Sequence, residues 1–401
     1  MRRADFAAPQ CAHLVRTVGG GVAFLPPPLP PGISYAGALV RLLSAAERAL
    51  GELAGVGDAL PSPHLFTRAL VRREAVLSSR IEGTQATLSE LVLFEIERPG
   101  AHSGDVQEVA NYVTAMEYLL GPGRDAPTGL WLLREAHHIL LTGVRGETVR
   151  PVQFRTSQNW LGSTAGDIEE ASYVPPPPEL VRDCLDAFEH SLQRRHDLPP
   201  LLEIACLHYQ FEAIHPFHDG NGRVGRLLVA LLLVEWGLLP GPILDFSEYI
   251  ERHRQEYYDR LLAVSTTGDW AGWLTFFLEA VGTQARDVLR RARALRELRD
   301  DYRSRVTGVR SSSLLPRLVD ALFETPALTI NSARDVLSVT HRAATLNIEK
   351  LVEIGLLVEV APTGRQRRFL ADGVVRVVNG EAGSPKRVAH PTLHAPGTTT
   401  S

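Results

Sequence analysis

The feature that most constrains this chain is a twelve-residue segment that separates two apolar, helix-forming runs. The segment reads HPFHDGNGRVGR and occupies residues 215–226. Residues 201–214 before it and 227–236 after it have the length and apolar content of buried helices. A glycine-rich turn must therefore join two core helices, and it carries an imidazole, a carboxylate and two arginines with it.

This segment, 215–226, contains the groups needed to hold phosphates. Gly220 and Gly222, on either side of Asn221, allow backbone N–H groups to converge on an anion. The helix that follows offers its positive N-terminus to the same anion. Arg223 and Arg226 are three residues apart, so they lie on one side of that helix and both can bind phosphate oxygens in a forked manner.

The same segment also contains groups for proton transfer and metal binding. His215 titrates near neutral pH and can act as a general base, and Asp219 is an oxygen ligand of the kind that Mg²⁺ takes alongside phosphates. Phe217 is predicted to be buried as the anchor of the loop. A G-x-G-x-x-G spacing matches the dinucleotide fingerprint, but that fingerprint requires a preceding strand, and here a helix precedes it. The set suits the in-line attack of a hydroxyl on a nucleotide phosphate.

Composition limits the class of protein and its surroundings. The chain has 401 residues, ordinary hydrophobic content (44%) and a net charge of -4, which predicts two or three domains and no global basic field for nucleic acid. Three scattered cysteines indicate a reducing compartment and no cysteine-based metal site. The N-terminus lacks a signal-like apolar core, and no apolar run is long enough to span a bilayer. We therefore expect a cytoplasmic protein without membrane contact.

Helical periodicity runs through most of the chain, so the predicted fold class is mainly α. The expected divisions are a flexible Pro-rich arm (1–34), a helical N-terminal region (35–120), a catalytic core (121–280), a connecting helix (281–311), a small unit (312–375) and a disordered tail (376–401). Extended pieces within 153–178 predict a β-hairpin flap. The order helix, strand, two helices and hairpin in 312–375 predicts a winged helix. The apolar side of the connecting helix is either a connector surface or a homodimer contact.

Glu82 stands at an unusual place for a carboxylate. The helix that contains residues 65–80 is predicted to stop at Gly83, which leaves Glu82 at the negative end of the helix dipole. The simplest interpretation is a solvated charge at a helix end. The alternative is that Glu82 has an arginine partner elsewhere in the chain.

Residues 215–226 are similar at every defined position to the Fic motif of the Fic/Doc family, His-x-Phe-x-Asp/Glu-Gly-Asn-Gly-Arg-x-x-Arg. Residues 78–83, SSRIEG, resemble the family's inhibitory motif, Ser/Thr-x-x-x-Glu-Gly/Asn. Their position matches the class whose inhibitory helix lies N-terminal to the core. The resemblance covers residues 35–375 and implies a Fic-type helical core, a flap and a C-terminal winged helix.

The resemblance also implies a reaction: a protein adenylyltransferase moves AMP from ATP to a hydroxyl side chain (Ser, Thr or Tyr) of a target protein or of itself. The implied roles are general base for His215, Mg²⁺ ligand for Asp219, phosphate binding for Gly220, Asn221, Gly222, Arg223 and Arg226, and a place beside the adenine for Tyr258. Glu82 is implied to pair with Arg226 and so to autoinhibit the enzyme.

Two groups of alternatives stay open. Removal of AMP, or transfer of another phosphate-containing group, would use the same site, although the unaltered Arg223 and Arg226 argue against changed chemistry. A DNA-binding regulator is the other alternative, because polar residues open the candidate recognition helix and arginines lie on the wing. These residues are Thr340, His341, Arg342, Thr345, Arg365, Arg367 and Arg368. The winged helix would otherwise dock a protein or form a dimer.

Overall fold

The computed structural model describes residues 1–18, 20–59, 63–96, 104–121, 127–144, 153–162, 168–194, 197–307, 314–360 and 366–381, with the backbone alone at 56–59 and 63–65. The helices are α1 Gly37–Ala59, α2 Pro63–Ile81, α3 Leu88–Ile96, α4 Gly104–Leu119, α5 Leu130–Leu141, α6 Pro178–Gln193, α7 Pro200–Ile214, α8 Asn221–Glu235, α9 Phe246–Arg252, α10 Arg254–Thr267, α11 Trp270–Thr307, α12 Leu315–Glu324, α13 Ile330–Leu337, α14 His341–Glu353 and α15 Asp372–Val378. The strands are β1 Leu14–Arg16, β2 Val22–Phe24, β3 Ala327–Thr329, β4 Val358–Val360 and β5 Arg368–Leu370. The mainly α prediction is confirmed.

Helices α7 and α8 form the centre of the fold and carry the segment 215–226 between them. Residues 201–211 of α7 and 223–233 of α8 are all buried. Helices that are buried on every side need neighbours all round. Accordingly α6 and α11 pack on α7, while α2, α4 and α5 pack on α8. The segment is thus held at the ends of two fully packed helices.

The range 1–34, predicted to be a flexible arm, contains a short hairpin in its described part. Strands β1 and β2 pair antiparallel, and the ring of Phe24, which is 1% exposed, stacks on Phe6 with centroids 5.9 Å apart. Phe24 N donates to Val174 O (2.9 Å), which ties the hairpin to the segment before α6. Burial of the two aromatic side chains stabilises the packing of this hairpin on the rest of the chain.

The boundary predicted at residue 280 falls inside one continuous helix, α11. Its apolar side, which includes Val281, Ala285 and Val288, is buried and packs along α1. At Gly282 an added Cβ would lie 3.4 Å from Ala46 Cα, so the two helices approach closely. Around Gly282, the apolar side of the connecting helix is therefore covered by the chain's own α1 rather than free for a homodimer contact.

Residues 314–360 and 366–381 form a small unit in the predicted order α12, β3, α13, α14, β4, β5. Strand β5 lies between β3 and β4, with Phe369 paired to both Leu328 and Glu359. The winged-helix interpretation stays a prediction. The boundary at 375/376 is wrong, because α15 crosses it and buries Val374 and Val378 beside α11. Residues 382–401 of the predicted tail lie outside the described residues.

The flap region lies next to the segment 215–226. Its two halves meet in an antiparallel bridge between Leu161 and Tyr173, where Leu161 N donates to Tyr173 O (2.9 Å). Residues 163–167 between them, and Val152 of the predicted first piece, are outside the described residues. In the part of the chain that the structure describes, no helix combines the length and apolar character needed to cross a membrane.

Candidate active site

The loop between α7 and α8 is set by two residues with positive φ. Helix α7 ends where His215 adopts φ 50°, a left-handed conformation that costs a residue other than glycine about 1–2 kcal/mol. Gly220, at φ 79°, precedes the first turn of α8. Gly222 is needed for lack of space rather than for its backbone conformation, because an added Cβ would overlap Glu82 Oε1 and lie 2.9 Å from Arg226 Nη1.

Asn221 closes the loop with its side chain. It is 2% exposed; its Oδ1 accepts from Phe217 N (2.9 Å), and its Nδ2 donates to Phe217 O (2.8 Å). Phe217 is fully buried, as the sequence predicts, and stacks on the His137 ring at 3.8 Å. His137 Nε2 lies 2.9 Å from Asp219 O. The local sequence gives no signal for His137, which supports the loop from α5, 80 residues earlier in the chain.

Arg226 is 1% exposed and is held by the helix that ends at Ile81. Its Nε donates to Ser78 Oγ (2.8 Å), and its Nη2 donates to Ser78 O (3.0 Å) and to Glu82 Oε1 (2.7 Å). Burial is the largest single influence on Glu82 and raises its pKa, but the charge and hydrogen bond of Arg226, with a further contribution from the Arg223 charge, together hold this pKa below its usual range. The structure thus brings the two partners of the implied inhibitory pair together.

Arg223 lies one turn closer to the start of α8 and is 3% exposed. Its Nη1 is 3.4 Å from Glu108 Oε2, and its Nη2 is 3.6 Å from Asp219 Oδ2. Its buried Nε has no hydrogen-bond partner among the described residues. The contacts to Glu108 and Asp219 are long, so the guanidinium retains capacity to bind an anion.

The His215 imidazole is neutral at physiological pH. Burial, followed by the charge of Arg155, lowers its pKa to about 4. Its Nδ1 lies 3.4 Å from Glu212 O, and since a carbonyl can only accept, this contact favours the proton on Nδ1. The Nε2 lone pair is then available to take a proton.

Asp219 and Tyr258 are the predicted Mg²⁺ ligand and adenine-side residue, and both are accessible to solvent. The Asp219 side chain is 56% exposed, and one of its oxygens accepts from Gly220 N (2.7 Å). Mg²⁺ usually binds through one or two carboxylates together with substrate phosphates, and a single accessible carboxylate at a helix N-terminus fits that mode. Tyr258 on α10 is 41% exposed, with Arg254 over its ring at 5.9 Å. Burial and then the Glu82 charge raise its pKa.

Fold and site together define a helical protein with a histidine, a glycine-rich turn and two buried arginines at the junction of its central helices. The Fic/DOC family N-terminal model matches residues 40–120, and the Fic/DOC family model matches residues 127–233. These matches contain Glu82 in the first region and most of α8 in the second. Over residues 40–120 and 127–233 the chain therefore has the two regions of a Fic/DOC family protein.

Individual relatives agree with this assignment. A probable protein adenylyltransferase of Aquifex aeolicus (strain VF5) is 38% identical over 85 residues, which is 21% of this chain and 27% of the relative. The protein adenylyltransferase Fic of Culex quinquefasciatus is 28% identical over 236 residues, covering 55% of this chain and 44% of the relative. The chain thus spans less than half the length of these relatives.

The fold is also similar to a solved structure. A Fic family protein from Desulfovibrio desulfuricans G20 superposes with a TM-score of 0.54 at 21% identity, covering 86% of this chain and 98% of the other. At this identity the likeness shows the fold alone. It extends well past the residues matched by the two family models.

Proposed function

We propose that this protein is an ATP-dependent protein adenylyltransferase that modifies a hydroxyl side chain of a target protein or of itself. The observation that carries the proposal is the neutral His215, set in a strained loop directly before a helix N-terminus that contains two buried arginines. The names of the relatives supply AMP as the transferred group. The cytoplasmic location stays a prediction.

In the proposed mechanism His215 Nε2 takes the proton of the target hydroxyl. The hydroxyl oxygen then forms a bond to the α-phosphorus of ATP, the bond from that phosphorus to the bridging oxygen breaks, and pyrophosphate leaves. The N–H groups at the start of α8 hold the phosphates, and Arg223 and Arg226 bind their distal part. Mg²⁺, when bound, neutralises phosphate charge, and Asp219 is the residue that would hold it.

Autoinhibition follows from the pairing of Arg226. The Nε and Nη2 atoms of this arginine are already used by Ser78 and Glu82. A distal phosphate that needs the same guanidinium must compete with a charge-assisted hydrogen bond in a largely buried place. The resting protein is therefore expected to have low activity.

Radioactive labelling tests both parts. Glu82→Gly should raise self-labelling above that of wild type. Adding His215→Ala to Glu82→Gly should lower self-labelling by about 100-fold or more relative to Glu82→Gly alone, the scale of a lost general base. ATP labelled at the α-phosphate distinguishes AMP transfer from phosphate transfer, which retains label only from the γ-phosphate. Equal labelling of wild type and Glu82→Gly would contradict the inhibitory role.

Removal of AMP is a second candidate, because Glu82 keeps 32% of its side chain exposed while one oxygen binds Arg226. The other oxygen could orient a water for hydrolysis. Protein labelled by the Glu82→Gly variant is the substrate for this test. Loss of label on addition of wild type, but not of Glu82→Gly, would favour removal.

A further inference from the structure

Arg155 is a buried arginine in the flap that the proposed mechanism does not use. It is 3% exposed, and none of the described carboxylates forms an ion pair with it; Glu179 acts on it only as a more distant charge. Its side chain instead donates to main-chain oxygens: Nε to His215 O (2.9 Å), Nη2 to Ile214 O (3.4 Å) and to Pro176 O, and Nη1 to Ser157 O (3.4 Å). Its own backbone N donates to Pro216 O (2.8 Å).

The position of these acceptors explains how a buried cation is tolerated without a carboxylate. Ile214 is the last residue of α7 and His215 is its C-cap, so their carbonyls have no partner within the helix. The C-terminus of a helix carries about half a negative charge, and an arginine there both caps the carbonyls and matches the dipole. Arg155 is therefore a side-chain cap for α7 that comes from a distant part of the chain.

The same contacts surround the one strained residue of the site. Ile214 O and His215 O belong to the two peptide groups on either side of the His215 Cα, and Arg155 holds both. Its backbone N holds the next carbonyl, that of Pro216. A left-handed conformation at a residue other than glycine persists only where the surroundings over-determine it. At His215, whose φ is 50°, Arg155 supplies three such restraints.

We propose that Arg155 is a positioning residue, which fixes the backbone of His215 and thereby the direction of its imidazole. The inference rests on the proposed role of His215 as general base. Arg155 also contributes charge: after burial, it is the main cause of the low pKa of His215, against which the Glu212 carbonyl, Glu82 and Asp219 act. Geometry and charge are separable, because lysine keeps the charge but lacks the fork that reaches several carbonyls.

The test compares Arg155→Met, Arg155→Lys and the control Arg182→Met in the Glu82→Gly background. Arg182 lies on α6 with its side chain 67% exposed, paired to Asp186. Arg155→Met should lower kcat for self-labelling about 10- to 100-fold, the scale of a misplaced reacting group. KM for ATP should stay within about 2-fold, since Arg155 contacts none of the proposed phosphate-binding residues, while a general loss of packing would move both. The control should change neither value.

An NMR titration of His215, assigned by comparison with His215→Ala, separates charge from geometry. Arg155→Met should raise the pKa of His215, and Arg155→Lys should keep it near wild type while kcat stays low. If Arg155→Met does not fold, Arg155→Lys carries the kinetic test. Unchanged kcat and His215 pKa in the folded variant, with His215→Ala inactive, would overturn this inference alone. Undiminished labelling by His215→Ala would overturn the proposed function instead.

Discussion

Two carboxyl groups near Arg226 are in opposite protonation states. Glu82 is ionised, because Arg226 holds its pKa below the usual range. Burial raises the pKa of Glu212 to about 8, although Arg226 partly offsets this, and Glu212 Oε1 has no hydrogen-bond partner in the described part of the chain. Carboxyls whose environments separate their pKa values in this way have different tasks. At neutral pH Glu82 is therefore the carboxylate that neutralises Arg226, and Glu212 is an uncharged neighbour.

The Glu212→Gln variant should gain stability relative to wild type as pH rises. The folded chain keeps the Glu212 proton up to about pH 8, whereas the unfolded chain loses it near pH 4.5, so unfolding releases a proton between these values. Wild-type stability then falls with rising pH by at most about 1.4 kcal/mol per unit from this group, and glutamine removes that loss.

Urea denaturation of both proteins from pH 5 to pH 8 measures this effect. Glu52→Gln, at an exposed glutamate of α1, is the control for the same substitution at a solvated position. A difference between Glu212→Gln and wild type that stays constant over this range would contradict the assignment.

Helix α2 links the candidate site to the C-terminal unit. Its C-terminal end holds Arg226 through Ser78, and its N-terminal half packs against α12, where Phe66 lies edge-on to Phe323 at 6.4 Å. Two arginines of this helix, Arg68 and Arg72, both contact Glu324. Since one is exposed and the other buried, they allow the strength of the junction to be measured.

Arg72→Met should destabilise the protein by about 2–4 kcal/mol, because it removes a buried guanidinium that pairs with the part-buried carboxylate of Glu95 (2.7 Å) and leaves the Glu324 carbonyl without its donor. Arg68→Met should cost less than about 1 kcal/mol, since its pair with Glu324 is 47% and 39% exposed on the two sides. Denaturant titration of the two variants checks this. Equal losses would show that burial does not set the strength of this contact.

Local pattern predicted the elements that carry strong local signals. Helix α2 ends at Ile81 with Gly83 at φ +98°, as a C-terminal glycine indicates, and apolar runs gave α7 and α8. Strands of three residues, such as β1 and β2, are too short to show the alternation of apolar and polar residues by which a strand is predicted. The roles of Arg155 and His137 could not be predicted from the sequence for another reason. Their partners are about 60 to 80 residues away, and only the packed fold brings them together.

At the scale of the whole molecule, α11 joins the core to the C-terminal unit. Its 38 residues extend over about 57 Å. The first part packs against α1, α7, α9 and α10, and the last part packs against α12 and α15. Near its end Arg299 Nε donates to Asp320 Oδ1 (2.8 Å), and the Tyr302 ring lies 5.9 Å from that of Phe323. With contacts from both α2 and α11, the small unit is part of the molecule's main body rather than a tethered module.

The charges of this unit weigh against the DNA-binding alternative. Residues 312–375 contain seven acidic and seven basic side chains, whereas DNA-binding domains are usually basic. Of the three wing arginines, Arg367 is bound to Glu359 by two hydrogen bonds (2.7 and 2.8 Å) and lies 3.6 Å from Glu349, and Arg368 is 7% exposed. Arg365 lies outside the described residues. The Arg367 charge is therefore already neutralised by Glu359, and a DNA phosphate would have to compete for the same guanidinium.

We accordingly expect no shift of random duplex DNA by the full chain at physiological salt in a gel assay. Glu359→Gln is the informative comparison, because it releases Arg367 and removes one negative charge from the same surface. If the Glu359 carboxylate is what prevents phosphate contact, Glu359→Gln should bind DNA detectably where wild type does not. This binding should decline steeply as the salt concentration rises. A wild-type complex that weakens with salt in the same way would restore the DNA-binding interpretation. It would also mean that Arg367 exchanges Glu359 for the phosphate, since the ion pair and the DNA need the same guanidinium.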